Sequence, residues 1–112
     1  QAFFQPLLAG LLNKPLPDMR ITSDTGSFFR DTVCWAACGM RGWRDAMEDA
    51  HVAQMLDATV FPEVALFAVL DGHGGKEVSM LASKLLASEV EACGREQLAE
   101  GAKDASGAGS GA

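Results

Sequence analysis

Apolar runs separated by polar and glycine-rich stretches predict three strands in this 112-residue chain. Residues 64–70, VALFAVL, form a continuous apolar run of strand length. Because the run is continuous rather than alternating, we expect a central strand with both faces buried. Residues 51–56, HVAQML, have the pattern of a short strand. Residues 32–43 are rich in small and aromatic side chains and are compatible with a third strand.

Residues 76–92 have the spacing of an amphipathic helix. The apolar residues on one broad face of its helical wheel are Val78, Leu81, Ala82, Leu85, Leu86 and Val90. Lys84 and Glu91 lie on the opposite face, and Gly94 is predicted to end the helix.

The two ends of the chain differ in composition from its middle. We interpret residues 1–30, which prolines interrupt, as an N-terminal extension; its apolar stretch AFFQPLLAGLL is too short to span a membrane. Residues 99–112 are rich in Gly, Ala and Ser, which predicts a flexible tail. Residues 31–98 are then the folded part. Three strands and one helix are few for an independent core, so the sequence predicts an α+β piece of a larger domain.

Charge and cysteine content narrow the function classes. The formal net charge of -6 argues against nucleic acid as a partner, because such sites need a basic face. If Cys34 and Cys38 share a strand, they lie roughly 13 Å apart, too far for a disulfide. We therefore expect reduced, packed cysteines, Cys93 included, and a cytoplasmic or nuclear location.

The stretch RGWRDAMEDAH, residues 41–51, concentrates charged groups. Glu48 and Asp49 are adjacent carboxylates, and Arg44 precedes Glu48 by four residues. On an extended chain the two carboxylates point to opposite faces, so one can meet a cation while the other orients its water. On a helical turn Arg44 and Glu48 would instead form an ordinary ion pair. The residues leave both alternatives open.

The stretch DGHGG, residues 71–75, follows the predicted buried strand. The Asp71 carboxylate and the uncovered carbonyl of Gly72 are hard oxygen ligands that suit Mg²⁺ or Mn²⁺. His73 is close enough to share the pocket, and the two further glycines permit backbone angles that other residues resist. The competing interpretation is a tight strand-to-helix turn capped by Asp71, with His73 merely exposed.

Together the two stretches supply the groups of a metal-assisted phosphoester hydrolase. A guanidinium fork suits phosphoryl oxygens, and clustered carboxylates suit divalent cations. A histidine with a near-neutral pKa can deliver a proton to a leaving alkoxide. A weaker alternative is a cation-binding protein without hydrolysis.

The pair GWRDAMEDAH and LFAVLDGHGG resembles the opening signatures of the metal-dependent serine/threonine protein phosphatases of type 2C. Upstream, AGLLNKPLPD resembles the N-terminal segment of animal and protist members. The resemblance covers roughly residues 9–92. It implies hydrolysis of phosphoserine and phosphothreonine in phosphoprotein substrates by a metal-bound water, with two Mn²⁺ or Mg²⁺ ions in the complete site.

The same resemblance implies a role for each site residue. Arg44 would bind the substrate phosphate, and His73 would be the general acid that protonates the departing oxygen. The metal-holding set would be Glu48, Asp49, Asp71 and Gly72. Within that set Asp71 would bridge both ions, Gly72 would lend its carbonyl, and Asp49 would support a metal-bound water.

The chain departs from the family in length. The family's domain is more than twice as long and is a sandwich of two antiparallel sheets flanked by helices, with further metal-binding aspartates beyond DGHGG. Here only Asp104 follows Asp71. The sequence therefore predicts the N-terminal part of the domain and leaves its activity in isolation open. The alternative is a non-catalytic fragment or partner-binding module that retains the first half of the site.

Overall fold

The structure, a computed structural model, describes residues 16–107. Its elements, in chain order, are β1 (Thr22–Phe28), β2 (Val33–Gly39), β3 (Ala50–Met55), β4 (Ala65–Leu70) and α1 (Glu77–Gly107). The strands form two small antiparallel sheets, β1 with β2 and β3 with β4. This content agrees with the predicted α+β class.

The described residues divide into two compact units. The first contains residues 16–25 and 36–47, and the second contains residues 26–35 and 48–107. The second unit holds the β3–β4 hairpin, all of α1 and the DGHGG stretch, so most of the predicted site lies within it.

The core of the second unit lies where α1 packs on the β3–β4 hairpin. The strands pair from Ala50 opposite Leu70 to Met55 opposite Ala65, which confirms both predicted strands to within one residue at their ends. Val52 is 7% exposed and Ala87 of α1 is 4% exposed, and Leu56 just after β3 is similarly buried. Burial of these apolar groups against one another stabilises the unit.

The expected burial of both faces of β4 is wrong within the part of the chain that the structure describes. There β4 pairs with β3 alone, and Val69 is 81% exposed. Successive side chains of a strand alternate between faces, so Phe67 and Val69 point away from the face that carries the core. Phe67 still contacts the Phe28 ring, with their centroids 5.9 Å apart.

Helix α1 is longer than predicted. It runs to Gly107, through the expected stop at Gly94 and through residues 99–107, which were expected to belong to a flexible tail. The helix continues here because residues 95–105 consist mostly of Arg, Glu, Gln, Leu, Ala and Lys, which are strong helix formers. Within residues 16–107 no helix is both long and apolar enough to cross a membrane.

The face of α1 that packs on the sheet is also rotated from the predicted one. The buried residues are Ser79 and Ala87, whereas Val78 is 79% exposed and Leu81 and Leu85 are exposed as well. The helical wheel groups residues by apolar character alone. In the structure the small side chains of Ser79 and Ala87 let α1 approach the strands closely, so these residues form the packing face.

Strand β1 lies in the region that the sequence analysis interprets as an N-terminal extension, where no strand is predicted. Its residues, TSDTGSF, are mostly polar and carry little apolar alternation, which explains why the pattern missed it. It precedes a turn in which Phe29, Arg30 and Asp31 all have positive φ. The apolar stretch AFFQPLLAGLL falls outside the described residues.

The cysteines are unpaired, but they do not pack as expected. Cys34 and Cys38 both lie on β2, four residues apart, and Cys93 lies on α1. All three are exposed, so the predicted packing role is wrong. Residues 34 and 38 share one face of a strand, and that face is open along the whole of β2.

Candidate functional site

The β3–β4 register brings the two chemically unusual stretches to one end of the hairpin. Ala50, the first residue of β3, pairs with Leu70, the last residue of β4. Asp49 immediately precedes the first of these residues and Asp71 immediately follows the second. Because paired residues of an antiparallel hairpin lie side by side, both aspartates lie at the same end of the hairpin. This register is what makes two distant sequence motifs neighbours.

Glu48 is attached to the DGHGG loop by its side chain. Its Oε1 accepts a hydrogen bond of 2.6 Å from the backbone N–H of Gly75. Gly74 and Gly75 have φ values of 74° and 119°, so the predicted need for glycine-only backbone angles is confirmed. The loop thus turns back on itself to present an amide to a carboxylate that precedes it by 27 residues.

Glu48 is also held by its main chain. Its carbonyl accepts a hydrogen bond from the Ser79 hydroxyl in the first turns of α1. Gly72 lies so close that a Cβ there would overlap the same carbonyl oxygen and would come within 2.7 Å of Ser79 Oγ. Close backbone approach therefore requires glycine at position 72, a role additional to the predicted carbonyl ligand.

The remaining predicted groups of the second unit face solvent. Asp49, Asp71 and His73 are all exposed, so a ligand from solution can reach them. His73 is exposed, as the interpretation of DGHGG as a capped turn expects, but α1 begins only at Glu77, so Asp71 does not lie at its N-terminal cap. The exposure of His73 does not conflict with a chemical role, since a site must be accessible to its ligand.

Arg44 belongs to the first unit, in a non-helical turn. Residues 43–49 contain no helix, so the alternative in which a helical turn stacks Arg44 over Glu48 is wrong. The Arg41 guanidinium donates to the carbonyl oxygens of Arg44 and Leu16, and so fixes the main chain of this turn. Sequence reasoning missed Arg41, because nothing in its spacing distinguishes it from a surface arginine.

A backbone bridge supports the same turn. Asp18 and Gly42 exchange two hydrogen bonds of 2.8 Å, and the Asp18 carboxylate accepts from the Arg20 guanidinium. Those hydrogen bonds from Arg20 hold the pKa of Asp18 well below its ordinary value. Asp18 is therefore ionised at neutral pH and forms part of the support of the turn that carries Arg44.

The donors suit a hard divalent cation in their chemistry. One end of the hairpin carries three carboxylates and one carbonyl, those of Glu48, Asp49, Asp71 and Gly72. Such oxygen ligands are the ones that Mg²⁺ and Mn²⁺ prefer. Among residues 16–107, however, no group of three or more His, Cys, Asp and Glu side chains is arranged to hold a metal ion. The chain thus supplies suitable donors without bringing three of these side chains together.

A separate cavity lies at the other end of the packed part of α1. It has a volume of about 560 Å³. The residues that line it are Val60, Phe61, Glu89, Val90, Cys93, Gly94, Gln97 and Leu98. Sequence reasoning missed this cavity, which contains none of the predicted site residues; the only signal was the apolar pair that precedes Pro62.

Comparison with known proteins gives one consistent result. Residues 35–107 match the family model described as Protein phosphatase 2C. Probable protein phosphatase 2C 6 of Paramecium tetraurelia is 43% identical over 74 residues, which cover 66% of this chain and 23% of that protein. Probable protein phosphatase 2C 5 of the same organism is 48% identical over 56 residues, covering 50% of this chain and 18% of that protein.

A fungal relative agrees with the ciliate ones. Protein phosphatase 2C homolog 2 of Hypocrea jecorina is 35% identical over 75 residues, covering 61% of this chain and 17% of that protein. The chain thus spans less than a quarter of the length of these relatives. No solved structure matches it.

Proposed function

This chain belongs to the protein phosphatase 2C family, and from that premise we propose that it contributes the N-terminal part of a domain that hydrolyses phosphoserine and phosphothreonine in proteins. The observation that carries the proposal is the register of β3 and β4, which places Asp49 and Asp71 at one edge. The attachment of Glu48 to the Gly75 amide supports it. The fold proposed for the complete domain is a sandwich of two antiparallel sheets flanked by helices.

Four residues would hold the metal ions that the family requires. The proposed ligands are Glu48, Asp49, Asp71 and the carbonyl of Gly72, and the proposed ions are Mn²⁺ or Mg²⁺. A bound cation would supply the positive charge that lowers the pKa of the attacking water and offsets the charge of the phosphate.

Two further residues would act on the substrate directly. The Arg44 guanidinium would donate two hydrogen bonds to phosphoryl oxygens and so orient the phosphorus. His73 would donate a proton to the seryl or threonyl oxygen as the phosphorus–oxygen bond breaks, so that a neutral hydroxyl leaves. The exposure of His73 supports this role, because a protein substrate can reach it. The role of Arg44 rests on the family resemblance.

A second candidate function is a non-catalytic or partner-binding module. It is favoured by the absence, within residues 16–107, of three side chains arranged to hold a metal. In either case phosphoproteins are the proposed partners, and the cytoplasmic or nuclear location stays a prediction.

The experiment measures phosphate release from a phosphothreonine peptide by this chain, with and without Mn²⁺. We expect release that requires Mn²⁺ and falls to the level of the blank in Asp71→Asn. Asp104→Asn is the matched control, because it removes an exposed aspartate near the far end of α1 and should leave the rate unchanged. A folded chain that binds Mn²⁺ without releasing phosphate would leave the family assignment standing and make this chain a fragment or a non-catalytic module.

A further inference from the structure

Ser79 is the buried polar residue of the second unit. It is 5% exposed and lies in the first turns of α1, where this helix packs on the hairpin. Its hydroxyl donates to the carbonyl of Glu48, 31 residues away in sequence, and it also lies 3.0 Å from the carbonyl of Lys76. A hydroxyl has one hydrogen, so the bond to Glu48 competes with the local bond within the helix.

Other serines of α1 show what the local bond alone looks like. Ser83 donates to the carbonyl of Met80 at 2.9 Å, and Ser88 donates to the carbonyl of Leu85 at 2.8 Å. Both bonds join a serine to the carbonyl three residues earlier, a common habit of helical serines. Ser79 has the same local option and additionally reaches a carbonyl outside the helix. The long-range bond is therefore specific to position 79.

The bond acts on a residue whose side chain is also held. Glu48 accepts from Ser79 at its carbonyl oxygen and from the Gly75 N–H at Oε1. Gly72 also packs closely against Glu48, because a Cβ at position 72 would overlap the Glu48 carbonyl. The main chain of Glu48 is thus held on α1 while its carboxylate contacts the DGHGG loop.

We propose that Ser79 is a positioning residue that orients Glu48 for the DGHGG loop through the hydrogen bond to its carbonyl. It acts through Glu48 and touches neither substrate nor metal. Its significance for metal binding rests on the proposed function, whereas its effect on Glu48 does not. In Ser79→Ala the carbonyl of half-buried Glu48 loses this donor, and the main chain can shift to recover a hydrogen bond from water.

The first test follows the amide of Gly75 by hydrogen exchange in Ser79→Ala. We expect its exchange to become roughly tenfold faster, because the carboxylate that it contacts is no longer held in place. The amide of Leu56, which donates to the carbonyl of Val64, is the internal reference for a general loss of stability. Ser83→Ala is the matched control, since it deletes a helical serine that has the local bond, and it should leave Gly75 unchanged.

A selective effect at Gly75 supports the proposal, and equal acceleration at Gly75 and Leu56 overturns it. Unchanged exchange at both amides overturns it too. Alanine is smaller than serine and favours helices, so Ser79→Ala is expected to fold.

The second test titrates Mn²⁺ into the same variants and follows the signal of free Mn²⁺ by electron paramagnetic resonance. We expect Ser79→Ala to bind Mn²⁺ several-fold more weakly than Ser83→Ala, as is typical when a group that orients a ligand is removed. Equal Mn²⁺ affinity in the two variants overturns the extension to metal binding. A selective change at Gly75 in a chain that binds no Mn²⁺ supports the positioning role and counts against the proposed function, so the two failures are distinguishable.

Discussion

Two glutamates hold the two ends of the packed part of α1 in closely similar ways. Near the start of the helix, Glu48 accepts the Gly75 amide at 2.6 Å. Near Gly94, Glu91 of the helix accepts the Asp57 amide at 2.8 Å. A glycine stands beside each contact where a side chain has no room, Gly72 in the first case and Gly94 in the second.

The two ends differ in what the glycine meets. A Cβ at Gly72 would strike the main chain of Glu48, whose carbonyl carbon would lie 2.9 Å away. A Cβ at Gly94 would strike the side chains of Phe61 and Val60, at 2.5 and 2.6 Å. Side chains can move to other rotamers, whereas a hydrogen-bonded backbone cannot move without breaking those bonds. The end that carries the proposed chemistry is therefore the more rigid of the two.

The strongest test of that difference is Gly72→Ala. We expect it to lower the free energy of unfolding by about 3 kcal/mol, at the upper end of what overpacking costs, because backbone has to shift. Urea denaturation of the full chain measures the loss. A cost below that of the corresponding change at Gly94 would contradict the claim that the Gly72 end is more rigid.

Gly94→Ala is expected to have a smaller effect. Phe61 and Val60 can rotate away, and alanine gains helix propensity, so the net loss is about 1 kcal/mol. Gly101→Ala is the matched control, because Gly101 is in the same helix and has nothing within 4 Å of an added Cβ. It should stabilise the chain by about 0.5 to 1 kcal/mol. Equal effects of Gly94→Ala and Gly101→Ala in urea denaturation would mean that Phe61 and Val60 do not restrict the space at Gly94.

The smallest expected effect is on the pH dependence of stability under acidic conditions, and it arises from Asp57, which contacts α1 near Gly94. The pKa of Asp57 is lowered, mainly by hydrogen bonds from the hydroxyl and amide of Thr59, and the Arg95 guanidinium 3.5 Å away adds to the shift. A carboxylate with a lowered folded pKa stabilises the fold above the ordinary aspartate pKa. It loses that contribution as the pH falls through its folded pKa.

Asp57→Asn should therefore lose less stability than the unmodified chain between about pH 5 and pH 2. Thr59→Val removes only the hydroxyl donor and should give an intermediate slope. Unfolding at several pH values, followed by circular dichroism, measures these slopes. Parallel pH curves for all three chains would show that Asp57 does not carry the effect.

The sequence predicts well what depends on apolar runs and on local motif chemistry. The runs at 51–56 and 64–70 are strands, and the fact that these strands pair places Asp49 and Asp71 together. The glycines of DGHGG have the unusual backbone angles expected of them. These features are local, so composition and spacing suffice to find them.

Features that depend on tertiary contacts were missed. Nothing in the wheel of α1 shows that Ser79 and Ala87, rather than Leu81 and Leu85, face the sheet. Gly94 has the sequence signature of a helix end, yet its missing side chain makes room for Phe61. Strand β1 is too polar to give an apolar pattern. For Ser79 and Gly94 the deciding partner is distant in sequence.

The pairing of Ala50 with Leu70 has a consequence for insertions and deletions in relatives of this chain. The number of residues between Asp49 and Asp71 is set by the connection that follows Met55, whereas their proximity is set by the pairing. Residues added to that connection leave both aspartates in place. One residue added inside β3 would turn Val52 outward and move the acidic segment along β4, because a strand repeats every two residues. Length variation is therefore tolerated in the connection and excluded from the strands.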